Sequence, residues 1–401
     1  MGHHPSAFKL FIRALLDLGC TVLALCPKPE EVDSSLQDLD TVVRSRLTLR
    51  STAWAPAPRG CPRRFKRRAQ TLRSVYRVRK RIRQWEAEQG KSVELVFFAC
   101  IYDFQFRFFR EAEWLFPYRW SGLYLHARSF RMPGSPIPYV GELPCPEKFF
   151  ALKSLHSAAL LDEGAVTGLK HVTGGKLVVV FPDLTDMRLP AQGDPAWGLA
   201  NKLRGFARGR PIVSLVGHLQ RTKGLEEFTY AAQDESLRGL FFFLGGEVNW
   251  VEISDSSRKA MLTAWEQSPN LFAHLQRIAD ERALNAVIAS SDIIYAAYTD
   301  FPNSSGILSK AAVFERPLIV SDGYLMAERT RAYNLGEVVK ERDMDGIKAA
   351  LRRLGGLEPA AGNTRPAGWQ AYRAAHSYEK LMGAFAELLG QREGPSVDRD
   401  H

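Results

Sequence analysis

The chain has 401 residues, 45% of them apolar and 24% charged, with a formal net charge of +10. That is enough apolar mass for a sizeable core, divided between two domains. No apolar run reaches the about 18 residues of a membrane-spanning helix, and Met1-Gly-His-His-Pro-Ser6 lacks the charged and apolar regions of a secretory signal. Five scattered cysteines without a CxxC pair predict reduced thiols in a cytosolic protein. No His, Cys or Asp spacing suggests a structural metal.

In chain order, Phe8, Phe11, Ile12, Leu15 and Leu16 predict a helix over Ser6–Leu18, stopped at Gly19. Strands are predicted at Thr21–Leu25, Val93–Cys100, Leu123–His126, Ala158–Leu161 and Lys176–Phe181, with proline-rich loops between some of them. Pro182–Arg210 reads as an interdomain linker with a short helix. A second α/β series follows, with strands at Ile212–Val216, Gly239–Leu244, Ile293–Ala296 and Leu318–Val320. Trp369–Leu389 is a long amphipathic helix, and the end of the chain is a polar tail. Alternating strands and helices predict two Rossmann-like domains facing a cleft. The domains are placed at 1–192 and 193–368, with a crossover helix at 369–390 and a tail at 391–401.

The first domain opens on a helix rather than a strand. The loop Gly2-His-His-Pro-Ser6 looks like one that follows a strand, so either the first strand lies upstream of this start, which is the preferred expectation, or the domain has a shortened edge. Losing a central strand would leave backbone groups of the sheet unpaired.

Charge is uneven. Twelve basic residues and no acid lie between Arg59 and Arg83, more than the whole net charge. Phe65, Leu72, Val75, Tyr76, Val78 and Ile82 interleave with them. That pattern suits an anionic membrane surface, with Arg63, Arg64, Lys66, Arg67 and Arg68 as its core. A solvated arginine-rich face is the plainer alternative. No nucleic-acid partner is expected, because no recognised nucleic-acid module accompanies the patch.

Two stretches carry the chemistry. The strand Pro211–Val216 runs into Gly217-His-Leu-Gln-Arg-Thr-Lys-Gly224 and a helix. The strand Asp292–Ala296 runs into Asp300-Phe-Pro-Asn-Ser-Ser-Gly306 and another helix. Each sets a polar loop at the carboxyl end of a strand, where parallel sheets bind phosphorylated ligands. Helix N-termini there attract anions.

These residues resemble the retaining glycosyltransferases of GT-B fold, family-4 type. Gly217-His-Leu-…-Lys223-Gly224 resembles the family's Gly-Arg-Leu-…-Lys-Gly loop, whose Arg and Lys hold the diphosphate of a nucleotide-sugar donor. Phe241–Gly246, Ala289–Asp292 and Lys310–Pro317 resemble later motifs of the donor domain. Leu123–His126 resembles the strand ending in the family's active-site histidine. Gly2–Ser6 resembles its N-terminal glycine loop, and Tyr378–Leu389 the last helix, which crosses back to the first domain.

The resemblance implies transfer of a sugar, with retention and without metal or other cofactor, from a nucleotide-diphosphate sugar to a glycan or lipid-linked acceptor. It implies His126 as catalytic. It assigns donor binding to Gly217, His218, Arg221, Lys223, Gly245, Asn303, Ser304, Ser305, Gly306 and Lys310, and puts Gly2, His3 and His4 in the N-terminal or acceptor loop. A cytoplasmic protein, peripheral at the inner face of the membrane, follows from that acceptor class and the basic run. The family's Glu-x7-Glu falls on Pro302 and Lys310, neither acidic, and His218 stands where Arg is usual. A charged lysine cannot accept a hydrogen bond from ribose hydroxyls. A catalytically inactive homologue that binds a nucleotide sugar or a partner is therefore the alternative.

Overall fold

The computed structural model of the chain describes residues 4–52, 63–101, 113–125, 127–131, 149–278, 280–358 and 367–390; for 4–6, 63–68, 128 and 129 it describes the backbone alone. The chain forms two compact units. The first runs to Pro182 and resumes at Ser377, and the second spans Asp183–His376.

In the first unit, helix α1 (His4–Asp17) precedes strands β1 (Val22–Cys26) and β2 (Leu47–Ser51). Helix α2 (Arg63–Gln89) follows, then β3 (Val96–Ile101), β4 (Trp120–Tyr124), β5 (Ser157–Leu160) and β6 (Leu177–Val180). All pairings are parallel. Among the described residues β1 pairs only with β2, and a separate sheet runs β3-β4-β5-β6. The strands are short and apolar because helices cover the sheets. The expected Leu123–His126 strand ends earlier than predicted, at Tyr124, and His126 lies outside the described residues, as do Gly2 and His3.

The second unit is a six-stranded parallel sheet in the order β12-β11-β10-β7-β8-β9. Its strands are β7 (Ile212–Val216), β8 (Phe241–Gly245), β9 (Leu271–His274), β10 (Ile293–Ala296), β11 (Leu318–Ser321) and β12 (Gly336–Val339). β7, β8, β10 and β11 are buried along their whole length. The helices that serve the site are α3 (Leu225–Gln233), α4 (Glu281–Ala289), α5 (Gly306–Val313) and α6 (Leu325–Ala332). β2, β9 and β12 have no predicted counterpart. They are edge strands of four or five residues without a continuous buried run, so periodicity carries little signal there.

Three expectations change. The segment after Pro182 is packed into the second unit rather than a free linker. Asn285 Nδ2 donates to the carbonyls of Asp186 and Arg188, both at 2.9 Å, so the division falls ten residues before the expected one. The predicted helix Trp369–Leu389 is two helices, α7 (Trp369–Ala375) and α8 (Tyr378–Leu388). Ser377 starts the second, its hydroxyl accepting from the Lys380 amide. α8 belongs to the first unit, where Phe385 meets Phe11, Phe97 and Phe181 at 4.9–5.6 Å between ring centres.

The third change concerns α2. Val75, Ile82 and Trp85 recur at helical spacing and are buried, with Val75 and Ile82 in the core of the first unit, and Val78 packs beside them. Its apolar stripe therefore faces protein, not a bilayer. Trp85 Nε1 donates to Thr48 Oγ1 at 3.1 Å. Arg73, Tyr76, Arg77, Lys80, Arg81 and Arg83 remain on the exposed face. The side chains of Arg63, Arg64, Lys66, Arg67 and Arg68 lie outside the described residues. No described helix is long and apolar enough to cross a membrane.

Candidate functional site

The chain leaves β7 for β8 and β9 on one side, then returns to β10, β11 and β12 on the other. The strand order reverses between β7 and β10. Open parallel sheets bind ligands beyond the carboxyl ends of the strands at such a point. The Gly217–Gly224 loop follows β7, and the Asp300–Gly306 loop follows β10. The structure thus brings both predicted loops together on one edge.

Backbone bonds fix them. The Gly217 amide donates to Gly245 O at 2.9 Å, Leu219 N to Glu247 O at 2.9 Å, and Thr299 N to Thr222 O at 3.0 Å. Two glycines are required by close approach. At Gly246, φ is +145° and a β-carbon would lie 1.8 Å from Gly217 O. At Gly224, φ is +70° and a β-carbon would lie 2.6 Å from Ala297 O, forcing the two loops apart. Gly217 has φ +113° and open space above it. Gly245 instead sits under the Phe243 ring at the end of β8, so the adjacent Gly246 is the position that sets the loop's path.

The predicted cations differ in environment. Arg221 is shared by Glu252 at 3.7 Å and Asp300 at 3.4 Å, with Arg342 also on Asp300. Its charge is largely offset. Lys223 has no carboxylate partner among the described residues. Its ammonium lies 3.7 Å from the centre of the Tyr298 ring and 5.0 Å from that of Phe301, and the two rings meet edge to face. Aromatic faces hold a cation without neutralising it. His218 is exposed on the same loop.

On the second loop, Ser305 precedes the first turn of α5 and makes no side-chain cap bond. Ser304 Oγ donates to Asp183 Oδ2, and Arg329 of α6 pairs with the same oxygen at 3.0 Å. Arg329 and Asp183 are 4% and 9% exposed. A buried pair of this kind needs further hydrogen bonds to offset desolvation, and Ser304 supplies one. Ser309 Oγ adds a bond to Asp183 O at 2.6 Å. The Asp183 amide donates to His376 Nδ1 at 3.1 Å, and burial pushes the His376 ring down to about 4, with Arg329 adding to the shift.

Lys310 is set apart from the loops' charge. It is 1% exposed, and its ammonium reaches Glu281 at 2.8 Å, Asn285 Oδ1 at 2.6 Å and Asp186 O at 3.2 Å. Three acceptors match three donors. These bonds tie α5 to α4 and to the 183–188 segment. Asn303 and Gly306 sit in the loop and at the first residue of α5.

Sequence reasoning placed Gly246 in a motif but chose Gly245, and it did not single out Tyr298, Phe301, Asp183 or Arg329. The glycine pair and the aromatics flanking Asp300 were visible signals. The Asp183–Arg329 pair, 146 residues apart, left none. Among the described residues no cluster of His, Cys, Asp and Glu could hold a metal ion.

No family model matches the chain, and no curated protein does. Solved structures do. Sucrose-phosphate synthase from Thermosynechococcus elongatus has a TM-score of 0.63 at 14% identity, over 92% of this chain and 98% of its own. HepE of Anabaena, solved with UDP and glucose, has 0.62 at 12%, over 96% of each chain. A glycosyltransferase from Rickettsia africae has 0.63 at 11%, over 98% and 96%. At such identities the likeness shows the fold, and that fold is GT-B: two Rossmann-like domains, as the sequence predicts.

Proposed function

We propose that the chain is a glycosyltransferase that draws a sugar from a nucleotide-diphosphate donor bound at the β7–β10 edge. The observation that carries this reading is Lys223, an uncompensated cation held on aromatic faces between two strand-end loops. A diphosphate leaving group gains charge as the glycosidic bond breaks, and a positive charge fixed beforehand lowers that barrier. The free amide end of α5 adds to the same potential. The neighbours solved with UDP and glucose, and with UDP-2-fluoro glucose, make UDP-glucose the first donor to try. Retention, independence of metal and a glycan or lipid-linked acceptor extend the proposal by resemblance. The exposed basic face of α2 suits an acceptor held at an anionic membrane.

One observation favours a second reading. Pro302 and Lys310 replace both acids of the family pair, and Lys310 is engaged by Glu281 and Asn285. A homologue that binds a nucleotide sugar without turnover would look like this. Calorimetry with UDP, followed by UDP release from UDP-glucose with and without sugar acceptors, separates the two. Binding with turnover supports the enzyme, and binding without turnover supports the silent homologue. No binding of any nucleoside diphosphate removes both.

A further inference from the structure

The sheet of the second unit has two ends, and the predicted donor loops use the carboxyl one. At the other, where β7, β8 and β9 begin, lies a cavity of about 490 Å³. Arg210 lines it just before β7, Arg238 just before β8, and Ser268 and Asn270 at the entrance to β9. Gln233 and Gln267 close it from the last residues of α3 and of the helix Asp255–Gln267. The volume falls in the range of small-molecule sites.

Three of these residues set the chemistry. Arg210 is fixed in place: its Nε donates to Ala207 O at 3.1 Å, and its guanidinium lies 4.8 Å from the centre of the Phe241 ring. Nη2 reaches Phe206 O at 3.4 Å. Capping the helix before β7 thus accounts for two of its nitrogens but not for Nη1, and no carboxylate among the described residues pairs with it. Arg238 pairs with Glu235, both exposed, and water and salt weaken such a pair. Asn270 is 5% exposed. Its carbonyl accepts from Phe242 N at 2.7 Å, while its Nδ2 is buried with no hydrogen-bond partner among the described residues. A buried amide left unpaired is costly, and an acceptor on a ligand would relieve that cost.

Guanidinium groups match the oxygens of a phosphate in number and geometry. Ser268, Gln233 and Gln267 both donate and accept, as the hydroxyls of a sugar do. A cation would meet two guanidinium groups, and an apolar ligand would find few partners. We propose that this cavity binds a hydroxyl-bearing phosphate monoester of sugar-phosphate size, with the phosphate on Arg210, Arg238 and Asn270 and the hydroxyls on the Ser268, Gln233 and Gln267 side chains. The site lies at the opposite end of the strands from the donor loops and stands independently of the donor reading.

Calorimetry of the whole chain with ribose 5-phosphate, inorganic phosphate and ribose tests it. Ribose 5-phosphate should bind, inorganic phosphate roughly tenfold more weakly, and ribose not measurably. Arg238→Glu and Gln267→Glu, both at exposed positions, should each weaken ribose 5-phosphate by roughly tenfold or more and leave the thermal midpoint of the free protein unchanged. Asn270→Asp sets a carboxylate against the phosphate and should abolish binding, while Lys223→Ala should leave it intact. No binding of ribose 5-phosphate at millimolar concentration overturns the proposal. So does binding that the Arg238 and Gln267 variants retain, or that Lys223→Ala removes, because the ligand then sits elsewhere. Inorganic phosphate or ribose binding as tightly as ribose 5-phosphate equally overturns it, since one half of the ligand would then be unread. If Asn270→Asp does not fold, the two exposed variants decide alone.

Discussion

Lys223 Nζ sits 3.7 Å from the centre of the Tyr298 ring, a contact that joins the loop after β7 to the loop after β10. It keeps the charge ordered yet available. Replacing Lys223 by Ala should weaken UDP by roughly tenfold to a hundredfold, the range of one hydrogen bond to a charged group, with the fold retained. Tyr298→Leu should lose part of the same affinity, about 0.5–2 kcal/mol. Tyr298→Phe should be near neutral, because the buried Tyr298 hydroxyl has no hydrogen-bond partner among the described residues. Calorimetry with UDP and with uridine checks this. Equal losses for both ligands would show general damage rather than loss of a diphosphate contact.

The Asp183–Arg329 pair should be a large single contributor to the second unit. Arg329→Met strands a buried carboxylate, and breaking such a pair costs about 3–5 kcal/mol. Asp183→Leu with Arg329→Met should recover much of the loss, since neither charge is then left alone. Urea midpoints of the single and double variants measure the coupling. Additive losses would show that the two side chains do not act as a unit.

His376 predicts a pH dependence. Its ring is held neutral, from 6.5 down to about 4, first by burial and then by Arg329. The unfolded chain therefore binds a proton that the folded chain refuses between these values. Its contribution is complete above 6.5 and is lost as pH falls toward 4, at about 1.4 kcal/mol per unit. His376→Gln keeps an acceptor for the Asp183 amide and should flatten the slope between about pH 6.5 and 5. Denaturant midpoints across that window decide it, and an unchanged slope would assign the dependence elsewhere.

The basic run of α2 should attract vesicles of acidic lipid and not neutral ones, with release by salt. Each basic residue near such a surface contributes on the order of 1 kcal/mol. Replacing Arg63, Arg64, Lys66, Arg67 and Arg68 by Ser should abolish co-sedimentation. Equal binding to both vesicle types, or to neither, would leave α2 as a solvated face. Because Val75, Ile82 and Trp85 are already buried in protein, attraction here must be electrostatic and salt must weaken it.

The fully buried apolar strands were legible in the sequence. Ile212–Val216 and Ile293–Ala296 match prediction because a strand covered on both faces must be apolar throughout. The glycine turns at Gly217 and Gly224 were legible too, since the loop after β7 takes up φ of +113° and +70° there, which side chains disfavour.

What only the tertiary structure decided are the partners of charge. Arg221 and Lys223 are two residues apart and alike on paper. One is offset by Glu252 and Asp300, and the other rests on Tyr298 and Phe301. Lys310 stands where the resembling family has an acid, yet α4 encloses it with Glu281 and Asn285. The apolar stripe of α2 could have met lipid or core, and packing chose the core. Sequence periodicity records that a face is apolar or charged. Which surface that face meets depends on contacts between residues far apart in the chain, and no local pattern encodes them.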